Sequence, residues 1–157
     1  MAVDLFLKIT GIQGDSTDAK HHGEIVVDSF SWGESAGATV SGGGTPVTTP
    51  GEMFFTGAPS AAGPELFLAC ARRTLLPGAI LTVRAAGPRP VEILLIFFGA
   101  LTISSYHVSA SRGSAGPAEQ FSIAPTRMKL EFNPQGPGGP TGLPVIAGWD
   151  FLKHVQI

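Results

Sequence analysis

The chain has 157 residues, a formal net charge of −2 and only 14% charged residues. This is enough for one domain with a substantial core, and about ten percentage points fewer charges than the ~25% of an ordinary soluble domain. Acids and bases are interspersed, which argues against a nucleic-acid partner. The longest uncharged apolar run, Ile93 to Leu101, is far short of the roughly 18 residues a membrane helix requires, so membrane insertion is not expected. A positive mean hydropathy of +0.25 with so few charges leaves apolar surface that one subunit cannot hide, and burial between subunits is expected.

In chain order, Val3, Leu5, Leu7 and Ile9 alternate with Asp4, Phe6, Lys8 and Thr10, the period of a strand with one face on a core. Gly11 to Gly23 reads as a polar loop. In the next strand, Glu24 to Trp32, alternation places Val26, Phe30 and Trp32 on one face and Ile25, Val27, Ser29 and Ser31 on the other. From Ala36 to Thr56, short β-prone pieces flank Gly42-Gly43-Gly44-Thr45-Pro46, a long projecting loop with no core of its own. Gly63 to Ala85 is the stretch around which the rest is arranged. Pro64 and Glu65 suit a helix start, and Arg72 and Arg73 suit its end, which predicts one helix over about 64–73. Leu66, Phe67, Leu68, Ala69, Cys70 and Ala71 give that helix no polar face, so a core on one side and another subunit on the other are expected to cover it.

After Pro77-Gly78, Ala79 to Ala85 is a strand. Val91 to Phe98 is apolar on both faces, the mark of a strand covered on both sides. Leu101 to Ser111 is a further strand. Thr126, Met128, Leu130 and Phe132 alternate strictly with Arg127, Lys129, Glu131 and Asn133. A Gly/Pro loop, Asn133 to Pro144, leads to a last strand, Val145 to Ile157. The expected fold is mainly β: a single antiparallel β-barrel over residues 1–157, with one flanking helix and a long projecting loop. The start of the chain has neither a basic region nor a signal-peptide core, so a cleaved signal peptide is not expected.

Chemistry-bearing motifs are few. Gly33-Glu34-Ser35-Ala36-Gly37 matches the G-x-S-x-G nucleophile elbow, with Asp150 and His154 following in the right order, but no helix follows the serine. A serine hydrolase is therefore a remote alternative, and no enzyme activity is expected. His21, His22 and Glu24 could seed a metal site, yet a third strong ligand is lacking nearby and a solvated loop pair is favoured. No metal or cofactor is expected. Cys70, the only cysteine, is read as a small buried hydrophobe. Trp32 and Trp149 are read as core or interface anchors, and Tyr106 and His107 as one core and one surface residue.

Several short pieces together carry a resemblance: Met1-Ala2-Val3-Asp4 with Phe6 and Lys8-Ile9; Glu24-Ile25 leading to Ser31-Trp32-Gly33; Gly42 to Gly44; Phe55-Thr56; Leu68-Ala69-Cys70; Leu81 to Arg84; Ser104-Ser105; and Gly148-Trp149. Over nearly its whole length the chain resembles the haemolysin-coregulated protein (Hcp) family, the inner-tube subunit of bacterial type VI secretion. It departs from that family at Ser60-Ala61, where Asp-Lys is usual, and at Ala85, where a basic residue is usual.

The resemblance implies a barrel with one helix, assembled into hexameric rings that stack into a tube inside a contractile sheath and beneath a spike protein. It also implies a lumen that can carry or chaperone effectors. The subunit is then cytoplasmic before firing and secreted afterwards. The expected contacts are Ser29 and Ser31 with lumen cargo, Gly42, Gly43, Gly44, Thr45 and Pro46 in ring stacking, and Leu66, Phe67, Cys70 and Phe98 at the subunit interface. A tail-tube protein of a contractile phage-like particle is the alternative.

Overall fold

The structure is a computed structural model that describes residues 2–36 and 48–157. The described chain forms fifteen strands and one helix. In order these are β1 (Val3–Ile9), β2 (Ile25–Val27), β3 (Ser29–Ser31), β4 (Glu34–Ala36), β5 (Thr48–Pro50), β6 (Met53–Gly57), α1 (Ala62–Arg72), β7 (Ala79–Ala85), β8 (Val91–Phe98), β9 (Leu101–Ser109), β10 (Ala118–Pro125), β11 (Arg127–Phe132), β12 (Gln135–Gly136), β13 (Gly139–Pro140), β14 (Val145–Asp150) and β15 (Val155–Gln156). The mainly β class with one helix is as expected. The barrel is made of two sheets, in the orders β15-β14-β11-β8-β7-β1-β2 and β3-β6-β10-β9, that are not closed on each other.

The sheets share one core. Leu5, Leu7 and Ile9 of β1 and Leu81 of β7 meet Met53 and Phe55 of β6 and Phe121 and Ile123 of β10, all buried. Phe55 and Phe121 stack with ring centroids 5.1 Å apart. The strand read as continuous from Glu24 to Trp32 instead changes sheet. β2 pairs with β1 and β3 pairs with β6, while the Asp28 amide between them donates to the Thr56 carbonyl. That crossing slips the alternation by one residue. Ile25 and Val27 are therefore buried and Val26 is exposed, the reverse of the sequence assignment, while Phe30 faces the core and Ser29 and Ser31 face out.

The polar loop 11–24 is folded down onto the outer side of β1 and β7. Gly14 allows it, because a Cβ there would lie 2.5 Å from the Glu24 carbonyl oxygen. Arg84 reaches both carboxylate oxygens of Asp18, at 3.0 and 2.8 Å, and Asp4 at 3.0 Å. Its guanidinium lies 4.7 Å from the centroid of the Phe6 ring. His21 stacks on the same ring at 4.4 Å, so Phe6 is buried although alternation puts it on the side away from the core. Asp15 in this loop accepts from the Ala61 amide at the helix start, where no side-chain cap is present.

The helix begins two residues earlier than expected. It ends on Arg73, left-handed at φ 53°, whose own amide donates to the Cys70 carbonyl while the Thr74 amide donates to that of Ala69. Between β3 and β6 the chain narrows to a neck. Gly51 donates to the Gly33 carbonyl at 3.0 Å, and the Trp32 indole donates to the Gly51 carbonyl at 3.0 Å. A Cβ on Gly51 would lie 2.2 Å from that Gly33 oxygen, so only glycine lets the two backbones approach so closely.

Candidate assembly and channel surfaces

Strand pairing continues the core-facing side of the large sheet beyond its cover. Leu94, Ile96 and Phe98 of β8 stand opposite Phe132, Leu130 and Met128 of β11, which stand opposite Val145, Ala147 and Trp149 of β14. Exposure climbs along β11 from 2% at Met128 to 36% at Leu130 and 46% at Phe132, and reaches 63% at Val145. The small sheet stops short of this wing, leaving an apolar groove of about 400 Å³ lined by Leu130, Ala147, Trp149 and Phe151. On the reverse side, the Lys129 ammonium lies 4.2 Å from the centroid of the Phe97 ring. This cover explains how β8 can be apolar on both faces.

The helix is covered on one side only. Leu66 and Ala69 are buried, Cys70 is half-buried, and Phe67 and Leu68 are exposed. Phe67 meets the Tyr106 ring edge-on, with centroids 6.3 Å apart. Of the four residues expected at a subunit interface, Phe67 is therefore presented outward, and Cys70 is partly buried against the core. Leu66, 0% exposed, and Phe98, 4% exposed, belong to the chain's own core and have no surface to offer a neighbour. The sequence identified the exposed helix face but not the wing, although the strict alternation of β11 was its signal.

The small sheet's outer side has the opposite chemistry. Register places Ser29, Thr56, Gln120 and His107 in one row across its four strands, and Ser31, Phe54, Ser122 and Ser105 in the next. No strand residue on this side is a lysine, arginine, aspartate or glutamate. A bulge on β9 inserts Ser104 beside Ser105, and both hydroxyls bond the fully buried hydroxyl of Ser122, that of Ser104 at 2.8 Å. Ser29 and Ser31, the residues expected to meet cargo, lie exposed on this side, and Ser29 bonds the Thr56 hydroxyl. Gly42 to Pro46, expected to stack rings, lie outside the described residues.

Under this sheet, Tyr106 faces inward and donates to the buried Glu119 carboxylate at 2.7 Å. Burial first, and that carboxylate second, push the phenol up to about 12. His107 is exposed, as the sequence implied for one of this pair.

The remaining motifs do not assemble into a catalytic or metal site. Ser35 lies within strand β4, not at a strand-to-helix elbow. Asp150 accepts from the backbone amides of Leu152 and Lys153, at 2.9 and 2.8 Å, which hold its carboxyl below the ordinary value. His154 sits in a left-handed turn at φ 55°. His21 is not the solvated loop residue expected. Its ring is buried on Phe6, and Nδ1 lies 2.8 Å from the Glu24 carboxylate. Among the described residues no group of three metal-ligating side chains converges.

The fold of two sheets and one helix is shared with solved structures of one family. The family described as "Type VI secretion system effector, Hcp" matches residues 6–132. The chain belongs to the Hcp family. It is 33% identical over 163 aligned positions to the protein hcp1 of Pseudomonas aeruginosa, covering 99% of both chains. It superposes on the crystal structure of Hcp1 from Salmonella typhimurium with a TM-score of 0.81 at 33% identity, covering 100% of both. A structure titled as a type six secretion system protein shares the fold at a TM-score of 0.90 and 24% identity, covering 99% of this chain and 100% of that one. As an Hcp protein the chain is a structural subunit of the type VI secretion tube, built of hexameric rings, and it is secreted. This family assignment displaces the phage-like tail tube. Among the described residues no helix is long and apolar enough to cross a membrane.

Proposed function

We propose that the outer side of the four-stranded sheet lines the ring channel and that effector proteins travel against it. The supporting observation is its composition: two rows of hydroxyl, amide and imidazole side chains and one aromatic ring, Phe54, without a fixed charge among them, Ser29 and Ser31 included. Such a wall is wetted at little cost, offers donors and acceptors to many partners, and holds none of them by charge.

The helix residues Phe67 and Cys70, together with the apolar wing, meet neighbouring subunits around the ring. Gly42 to Pro46 reach the next ring in the stack. The tube sits within the sheath and beneath the spike. It stays in the cytoplasm until firing and leaves without a cleaved signal peptide, acting as conduit and carrier with no catalytic step of its own. Ser31→Gln tests the channel assignment. Ring sedimentation should be unchanged while co-purification of a lumen-bound effector falls. Unchanged effector binding, with a bulky label at residue 31 blocking the sheath instead, overturns it.

A further inference from the structure

The hydroxyl-lined wall has one place that differs from the rest. Phe54 is its exposed aromatic residue, 38% exposed, between Ser31 and Ser122 in the same row. Two residues earlier on the same side, Glu52 is exposed at the start of β6, and its carboxylate lies 3.5 Å from the Ser122 hydroxyl. Glu52 forms no ion pair among the described residues.

The bulge at Ser104 concentrates three hydroxyls at this spot, and Ser122 is fully buried among them. Bulges commonly re-aim side chains where a sheet does something other than pair. Ser122 has one proton to give. With Ser104 and Ser105 donating to it, that proton is directed at Glu52, which leaves the other carboxylate positions free.

A free carboxylate, an aromatic face and hydroxyl oxygens side by side favour one kind of group. A guanidinium or ammonium gains a charge-assisted hydrogen bond from the first and a cation–π contact from the second. Anions are repelled, and a purely apolar side chain leaves Glu52 unused. None of the strand residues on this sheet side is cationic, and the guanidinium that lines a pocket together with Ser104 is that of Arg73, at the end of α1.

We propose that Glu52, Phe54 and the Ser104–Ser105–Ser122 cluster form a receptor for a cationic side chain, arginine or lysine, of a polypeptide in the channel. The cargo half of this proposal rests on the channel reading above. It makes the wall selective at one point per subunit, repeated around the ring.

The test uses a fluorescent Gly-Ser peptide carrying two arginines, and its twin with glutamines, titrated into assembled rings and read by anisotropy at low and high salt. The arginine peptide should bind more tightly than its twin and weaken as salt rises. Glu52→Gln should weaken it about fivefold, the scale of an exposed ion pair, and remove most of the salt dependence. Phe54→Ser should weaken it about threefold, the scale of an exposed cation–π contact. Sedimentation should show intact rings in both variants.

Equal binding of the two peptides, or unchanged binding by Glu52→Gln, overturns the receptor. The channel reading fails by a different result. In a Cys70→Ser background, rapid labelling of Ser31→Cys in stacked tubes by a maleimide too large to enter a channel would put this side outside. Arginine binding would then still be weakened by Glu52→Gln.

Discussion

The two sheets show opposite chemistries where their own chain leaves them uncovered. The large sheet's core-facing side stays apolar past the end of its cover, through Leu130, Phe132 and Val145. The small sheet's outer side is mainly hydroxylic, its strand residues carry no charge, and its exposed aromatic residue is Phe54. An apolar surface gains free energy only by being permanently covered, at about 25 cal/mol per Å², so it suits a fixed neighbour. A hydroxyl surface is nearly indifferent to being covered, so it suits contacts that form and break. On the channel reading proposed above, one subunit carries a surface for staying and another for passing.

The comparison is broken most severely by placing charge on the wing. Leu130→Lys with Phe132→Lys should abolish rings in sedimentation, while the melting of the single subunit moves by about 1 kcal/mol or less, since both sites are already part-exposed. Rings that persist would show that the wing is not a fixed contact.

Next in size is Tyr106→Phe beneath the hydroxyl side, which strands the buried Glu119 carboxylate and should cost about 1–3 kcal/mol in denaturant unfolding. The folded phenol is pushed up to about 12, above its ordinary value of 10. The wild type therefore keeps the protonated ring's contribution below pH 10 and loses it as pH climbs from 10 towards 12. The variant should show no such alkaline decline.

A smaller effect belongs to loop 11–24 on the reverse of the large sheet. Hydrogen bonds from Arg84 first, then the Lys20 amide, hold the Asp18 carboxyl well below the usual carboxylate range. Its contribution is therefore complete above the unfolded value of about 4 and is lost as pH falls below it. Asp18→Asn should flatten that acid decline in a pH series of thermal melts. Least affected should be Gln120→Lys on the exposed hydroxyl side, with melting within about 0.5 kcal/mol of wild type and rings intact. A ring defect there would make the small sheet's outer side an assembly surface too.

Several strands that stay in one sheet are legible from their spacing, whereas β10, between the Ser/Gly loop and β11, is not. β1, β8 and β11 each lie where alternation or an unbroken apolar run placed them, and α1 is off by two residues at its start. What spacing alone does not carry is a strand that changes sheet. At Asp28 one backbone step reverses which residues point inward, so Ile25 and Val27 were assigned outward although they are core. Long-range cover is also invisible locally. Phe6 and His21 are buried by each other across a loop, and no periodic signal predicts that stack. Trp149, Phe151, Val155 and Ile157 make Val145 to Ile157 read as one strand, yet a turn at 151–154 divides it into β14 and β15. On the hydroxyl side, Ser29 and Ser31 could be named from alternation around Phe30. Glu52 and Phe54 could not, because their meaning comes from the cross-strand position of Ser122.

The Gly33–Gly51 neck bears on how the chain tolerates change. The Trp32 indole hydrogen bond and the Gly51–Gly33 backbone hydrogen bond tie the outgoing strand to the returning one before residue 36 is joined to residue 48. The two ends are therefore held together by the neck and not by the segment that joins them. Residues added or removed beyond the neck would leave β3 and β6 in register, so related tubes could vary that span while keeping the same sheet. Replacing Gly51 would instead force the two backbones apart at the one point where insertion tolerance depends on their contact.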